Sequence, residues 1–234
     1  MNNPSSFQND AFGASAQAGT RAFISSVFTY MTSALLISGV VAWLGSGSEW
    51  LISMMASPMI FLVMLAPLAA VMVMSFGFNK LSYTALATVF FVYSALMGLS
   101  LSAIFLVYDL GTIFKVFFIT AGLFTTMAVL GYTTKTDLTR MGGILMMAVI
   151  GIVISSVVNW FLKSPAFDYL ISCVGVLVFT GLTAYDMQKI KRIGEGVEYG
   201  TATTSKLAVM GALTLYLDFV NLFLMLLRVF GRRD

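Results

Sequence analysis

The sequence predicts an all-α polytopic membrane protein with seven transmembrane helices, and three observations carry that prediction. The 234-residue chain is 59% hydrophobic and only 10% charged, where a soluble domain carries about 25% charged residues. Its mean hydropathy is +0.94. Apolar windows long enough to cross a bilayer alternate with short polar breaks along the whole chain.

Each window is justified in turn by where it stops. The predicted spans are 22–44, 52–76, 82–107, 112–132, 141–162, 166–188 and 207–230. The breaks between them are GSGSE at 45–49, FNK at 78–80, YDLG at 108–111, TTKTDLTR at 133–140 and KSP at 163–165, with a longer polar run from Met187 to Lys206. Residues 1–20 read as a disordered polar leader, and 21–234 as one seven-helix domain. The leader has no basic region, and Ala22 to Leu44 is too long for a signal-peptide core, so it reads as a retained span. Pro58 and Pro67 fall in the second window and predict a kink there, while Pro165 suits the first turn of the sixth helix.

Lysine and arginine bias sets the expected orientation. With the N-terminus in the cytoplasm, that side holds Arg21, Lys80, Lys135, Arg140, Lys189, Lys191, Arg192 and Lys206. The opposite loops hold Lys115 and Lys163, and the C-terminal Arg228, Arg232 and Arg233 run against the bias. Seven crossings with the N-terminus inside is the preferred reading. The alternative is a last segment that re-enters without crossing.

Absences narrow the chemistry. The chain has no histidine, which removes imidazole proton relays, His-ligated zinc and serine–histidine catalysis. Cys173 is the only cysteine, so no disulfide or thiolate cluster forms within one chain. No cofactor motif appears. The bases are scattered rather than gathered into a nucleic-acid patch, so the expected surroundings are the lipid bilayer, ions and other membrane proteins. Gly142-Gly143 and two rows of small residues at four-residue spacing, Ser94-Gly98-Ser102 and Gly151-Ser155-Asn159, read as close helix packing.

One feature resists a purely structural reading. The last window, Leu207 to Phe230, carries Asp218 near its middle, and an intramembrane carboxylate is costly and commonly functional. Gly211, Thr214, Asp218, Asn221, Met225 and Arg228 are spaced three and four apart, which places them on one helical face. The stripe should therefore point into the bundle, with Thr214, Asn221 and Arg228 supporting Asp218. The structural alternative is a buried hydrogen-bond node. Asp186 ends the sixth window, where an acid opposes the helix dipole; an ion pair with Lys189, Lys191 or Arg192 would also account for it. The other acids lie in loops or at span ends and read as solvated, with Asp109 and Asp168 placed to line an outer mouth.

If Asp186 and Asp218 meet, two carboxylates in a low dielectric cannot both ionise cheaply, so they would share one proton near neutral pH. Losing it would leave two repelling charges or recruit a cation, which makes a pH-dependent gate. Calcium suits carboxylate oxygens, and two acids make a weak site fit for passage rather than storage. The geometry carries a tension. Asp218 lies about 16 Å beyond Leu207 at the α-helical rise, whereas Asp186 sits at the end of its own window. A tilted sixth helix, a late start to the seventh or an aqueous cavity would reconcile them.

The motifs themselves are recognisable. Ala212 to Phe223 (ALTLYLDFVNLF), continuing to Arg228, resembles the C-terminal signature of the Bax inhibitor family, the transmembrane Bax inhibitor motif proteins. Gly181 to Ile190 (GLTAYDMQKI) and Gly131 to Leu138 (GYTTKTDL) are similar to further motifs of that family, the latter of its bacterial inner-membrane branch. The resemblance runs from about Arg21 to the end. It implies a seven-helix fold with the C-terminal helix central, and a pH-sensitive calcium leak whose di-aspartyl sensor matches Asp186 and Asp218. Some relatives latch the aspartates with an arginine at the junction of helices two and three; here Lys80 stands there, a point charge without the guanidinium fork.

Two rival classes remain. One is a non-transporting membrane regulator that binds proteases or stress-response partners. The other is an intramembrane aspartyl protease, disfavoured because Leu215-Tyr216-Leu217 precedes Asp218 where such enzymes need Gly-x-Gly. No enzymatic activity is expected.

Overall fold

The computed structural model describes residues 4–49, 53 and 57–231, with side chains from residue 17 onward apart from 60–62 and 64. Seven helices account for the described chain: α1 Pro4–Ser46, α2 Ile60–Gly77, α3 Tyr83–Leu101, α4 Leu110–Thr133, α5 Thr139–Leu162, α6 Pro165–Gly196 and α7 Ala202–Phe230. A single extra turn at Ile104–Val107 continues α3, and no strand occurs among the described residues. The fold is the all-α polytopic membrane architecture the sequence predicts. Six of the helices are long and apolar enough to cross a bilayer, and the seventh, α2, contributes a shorter apolar stretch over Leu65–Gly77.

Helix starts are fixed by side-chain caps. Ser82, Asp109, Ser164 and Thr201 each accept a hydrogen bond from the backbone N–H three residues on, which satisfies one of the orphan donors of a helix N-terminus. Pro165 occupies the first turn of α6, as expected. Pro67 lies inside α2, but Pro58 does not, because it stands in the turn before the helix begins. The sequence prediction began this helix at residue 52; residues 50–52 and 54–56 lie outside the described residues. Helical backbone begins at Pro4, within the stretch expected to be a leader, whose first three residues and side chains up to residue 16 are likewise outside the described set.

Contacts between helices give their directions. Ser38 of α1 bonds the Ser94 carbonyl of α3 and the Tyr216 hydroxyl of α7, while Val27 faces Gly211, so α1, α3 and α7 run parallel. Phe124 and Phe117 of α4 meet Phe219 and Phe223 of α7 in the opposite sense. Gly142 packs on Tyr185 and Gly181 on Leu145, which makes α5 antiparallel to α6. At its far end α7 brings Gly231 against Tyr108 in the α3–α4 connection. The last helix therefore traverses the whole bundle, and the re-entrant alternative is set aside. The turns at 78–82, 134–138 and 197–201 share one end with the start of the apolar part of α1.

The resemblance implied a central last helix, and burial shows it. In the most apolar stretch of α7, 72% of residues are buried, against 11–39% in the other candidate spans. Its principal neighbours are α1, α3, α4 and α6, while α2 packs on α3 and α5 on α6. The helix is thus wrapped mainly by four of the other six. The Ser94-Gly98-Ser102 row is buried and packs as expected, because a methyl group on Gly98 would meet the Ser38 carbonyl at 2.7 Å. The Gly151 row does not. Gly151 is exposed with open space around it, and Asn159 instead accepts the Ser164 N–H at the turn into α6.

Candidate functional site: a buried carboxyl pair between α6 and α7

The site follows from helix register. Gly211 packs against Ile190, and Gly175 against Met225, so α6 and α7 run antiparallel with Asp186 level with Thr214 and Leu215. Asp218 lies about one turn deeper. Side chains on an α-helix lean toward its N-terminus. In antiparallel neighbours those leanings oppose, so Asp186 points deeper and Asp218 points back toward it. By this register the two carboxyl groups face each other across the α6–α7 seam. Asp186 is 7% exposed and Asp218 5%.

One of the expected routes to this meeting needs correction. The seventh helix does not start late; it starts at Ala202, five residues before the apolar window. The sixth does not end near Asp186 but continues ten residues further to Gly196. Asp186 is therefore an interior residue, and the objection that an acid at a helix C-terminus opposes the dipole does not apply. The extended α6 and the opposed leanings bring the acids together.

The immediate surroundings offer few partners. Oδ2 of Asp218 is buried without a hydrogen-bond partner. Thr214 donates to the Met210 carbonyl and Asn221 to the Leu217 carbonyl, so these two stripe residues bond to their own helix. Met225 is buried against Gly175. Arg228 is exposed and lies 3.8 Å from Asp168 at the opposite end of the α6–α7 seam. Lys80 is exposed in the turn after α2 and is not brought to the aspartates; Lys206 reaches that turn instead, donating to the Phe78 carbonyl at 2.9 Å. The base nearest Asp186 along α6 is Lys189, three residues on and exposed. Lys191 and Arg192, the other bases weighed for it, turn elsewhere.

Carboxylates accept hydrogen bonds and do not donate them, so a hydrogen bond between two such groups requires a proton on one. Among the described residues no group of three or more acids, cysteines or histidines gathers to hold a metal, and the aspartates stand as a pair. Calcium at this pair would find carboxylate oxygens of the right chemistry but few of them.

Several polar contacts escaped the sequence reading. Tyr216, two residues before Asp218, faces the opposite side of α7 and bonds Ser38 at 2.6 Å, beside Tyr93 and Phe90. The loop acid Asp137, read as solvated, accepts from Arg192 at 2.6 Å and from the Thr139 hydroxyl at 2.6 Å. The Thr139 hydroxyl, the Arg192 guanidinium and the Thr139 N–H hold the Asp137 carboxyl well below the usual range. Its spacing from Arg192 in sequence gave no signal, since the pairing is tertiary.

Fold and site together define a polytopic α-helical membrane protein with an acid pair buried beside its central helix. The family model described as inhibitor of apoptosis-promoting Bax1 matches residues 20–234, and the chain belongs to this Bax inhibitor family. It is similar to the inner membrane protein YbhL of Escherichia coli, 46% identical over 220 residues covering 93% of this chain and 94% of that one. An uncharacterized protein of Borreliella burgdorferi is 45% identical over 213 residues, covering 90% and 92% of the two chains. Another, from Rickettsia prowazekii, is 40% identical over 219 residues, covering 92% and 91%.

Proposed function

We propose that this protein is a pH-sensitive calcium leak channel of the cell inner membrane, gated by the Asp186–Asp218 pair. The observation that carries the reading is the burial of two carboxyl groups that face each other from adjacent antiparallel helices. With one shared proton the pair ties α6 to α7 and the seam is closed. Removing that proton places two negative charges side by side. At about 4 Å and an effective dielectric of 20 they repel by about 4 kcal/mol, comparable with the ~5.5 kcal/mol that inverts a 1:99 equilibrium. Separation of the helices, or entry of a cation between the acids, relieves the repulsion. Calcium is the permeant ion and no cofactor or enzymatic step is involved.

The inner-membrane location rests on the name of the Escherichia coli relative. The proposed orientation, with the N-terminus in the cytoplasm, is supported by the basic residues gathered at the end of the bundle that holds Arg21, Lys80, Lys135 and Lys206. Purified protein in vesicles loaded with a calcium dye tests the activity. Calcium entry above that of empty vesicles, rising when the external pH is stepped from acid to alkaline, is the expected result. Flux equal to empty vesicles at every pH would favour the regulator that binds proteases or stress partners.

A further inference from the structure

The geometry points to Gln188 and Arg192 as positioning residues through which the α4–α5 loop holds α6, and with it Asp186, against α7. The inference rests on the gating role given to the carboxyl pair and extends it to how the pair is kept closed. Ala184, Gln188 and Lys191 with Arg192 form one ridge of α6, four and then three or four residues apart. Asp186 and Ile190 lie about 200° around the helix from Ala184 and Gln188. The loop therefore grips α6 from the side opposite α7.

The grip is continuous from Gly131 to Thr139. A methyl group on Gly131 would lie 2.1 Å from the Ala184 carbonyl oxygen, so the α4 and α6 backbones touch at the level of Asp186. Lys191 donates to the Tyr132 carbonyl at 3.0 Å and sits 5.0 Å over the Tyr132 ring. Gln188, 6% exposed, spends both ends of its amide on loop backbone: Nε2 donates to the Thr136 carbonyl at 2.8 Å and Oε1 accepts from the Leu138 N–H at 2.9 Å. Arg192 closes the ring, donating from Nη1 to the Thr139 hydroxyl at 2.9 Å and from Nη2 to Asp137 at 2.6 Å and to Gln188 at 2.9 Å. A loop serving only as a connection has no need of three hydrogen bonds to side chains of the next helix but one, flanked by others from Tyr132 of α4 and Thr139 of α5.

The charged and titratable groups that face the pair are few. On α6 the nearest base is the exposed Lys189, three residues beyond Asp186, and on α7 the facing acid is Asp218. Near this level α4 presents Gly131, Tyr132 and Phe124, α5 presents Gly142 and Leu145, and on the far side of α7 Ser38 of α1 and Tyr93 of α3 face Tyr216. The clamp thus acts on the acids by fixing a helix and not by adding a charge beside them. With the clamp closed, α6 moves only together with the α4–α5 unit. With it broken, the end of α6 is free to leave α7 while the pair is still protonated.

The test reads helix position directly. Spin labels are placed at Gly196→Cys, where open space surrounds the backbone, and at the exposed Thr29→Cys on α1, in a Cys173→Ala background. One narrow distance at acid pH is expected for the otherwise unaltered full chain. Arg192→Gln and Asp137→Asn should each add a second, longer distance at acid pH, and Arg192→Lys, which keeps charge but loses the fork, should fall between. The reciprocal pair Asp137→Arg with Arg192→Asp should recover the narrow distance, which shows that loss of the clamp and not of folding is read. In vesicles the same single variants should show acid-side calcium leak raised toward the alkaline level. Unchanged distances in both single variants overturn the clamp. Changed distances with no calcium flux from any protein, wild type included, uphold the clamp and overturn the leak.

Discussion

A methyl group added to Gly131 has nowhere to go, because the Ala184 carbonyl oxygen would lie 2.1 Å from it and backbone cannot step aside as a flexible side chain can. Gly131→Ala should force α4 away from α6 and lower stability by about 1–3 kcal/mol, the usual range for overpacking. Gly151→Ala, with open space around it, should leave the midpoint of thermal unfolding in detergent unchanged. The contrast marks where sequence reading stops at this scale. A small residue in a membrane helix looks the same whether it faces lipid or another helix, since both are apolar. Asp218 was legible because a charge in lipid is conspicuous on either account, whereas Asp186, at the end of its window, was paired with it only by the family resemblance. Asp137 makes a further prediction. Its carboxyl is held below the usual range in the folded protein, so its contribution is complete above the unfolded value of about 3.9 and is lost as pH falls through the lower folded value. Asp137→Asn should therefore reduce thermal stability at about pH 7, with the difference from wild type shrinking only in strong acid.

Among the elements that build the site, α6 and α7 both depart from expectation, and the cause is shared. Hydropathy ends the sixth window at residue 188 and starts the seventh at 207, because polar side chains follow and precede. Yet Gln188, Lys191 and Arg192 are satisfied by the α4–α5 loop, and Thr201 caps α7 by accepting the Thr204 N–H at 3.1 Å. Both helices therefore run past their apolar segments. Caps and tertiary hydrogen bonds set helix ends, and a hydropathy window registers neither. Thr201→Ala should cost about 1 kcal/mol and speed amide exchange in the first turn of α7, leaving exchange around Asp218 unaltered. The α5–α6 turn gives a second check. Lys163 adopts a left-handed conformation with φ 50°, which glycine occupies without a Cβ penalty. Lys163→Gly should be neutral or stabilising by thermal unfolding, whereas Lys163→Val should destabilise because a β-branched residue resists that backbone.

For the molecule as a whole, seven helices of alternating direction leave the most buried helix, α7, crossing from the basic end to the end where Gly231 meets Tyr108. The count of seven helices followed from length and hydropathy, six of them long and apolar enough to cross a bilayer and α2 shorter. The packing order did not, since which helix lies at the centre depends on shape and on buried polar contacts such as Ser38 with Tyr216. With α7 packed against α1, α3, α4 and α6, a shift of that helix at Asp218 would reach all four neighbours. The account therefore places the pH response of the molecule in two side chains. The most direct test is calcium flux into vesicles across a series of external pH values for wild type, Asp186→Asn and Asp218→Asn, each checked for intact folding. The account predicts that wild-type flux rises with pH and that each asparagine variant flattens or displaces that rise. Two variants retaining both the wild-type flux and its dependence on pH would contradict it.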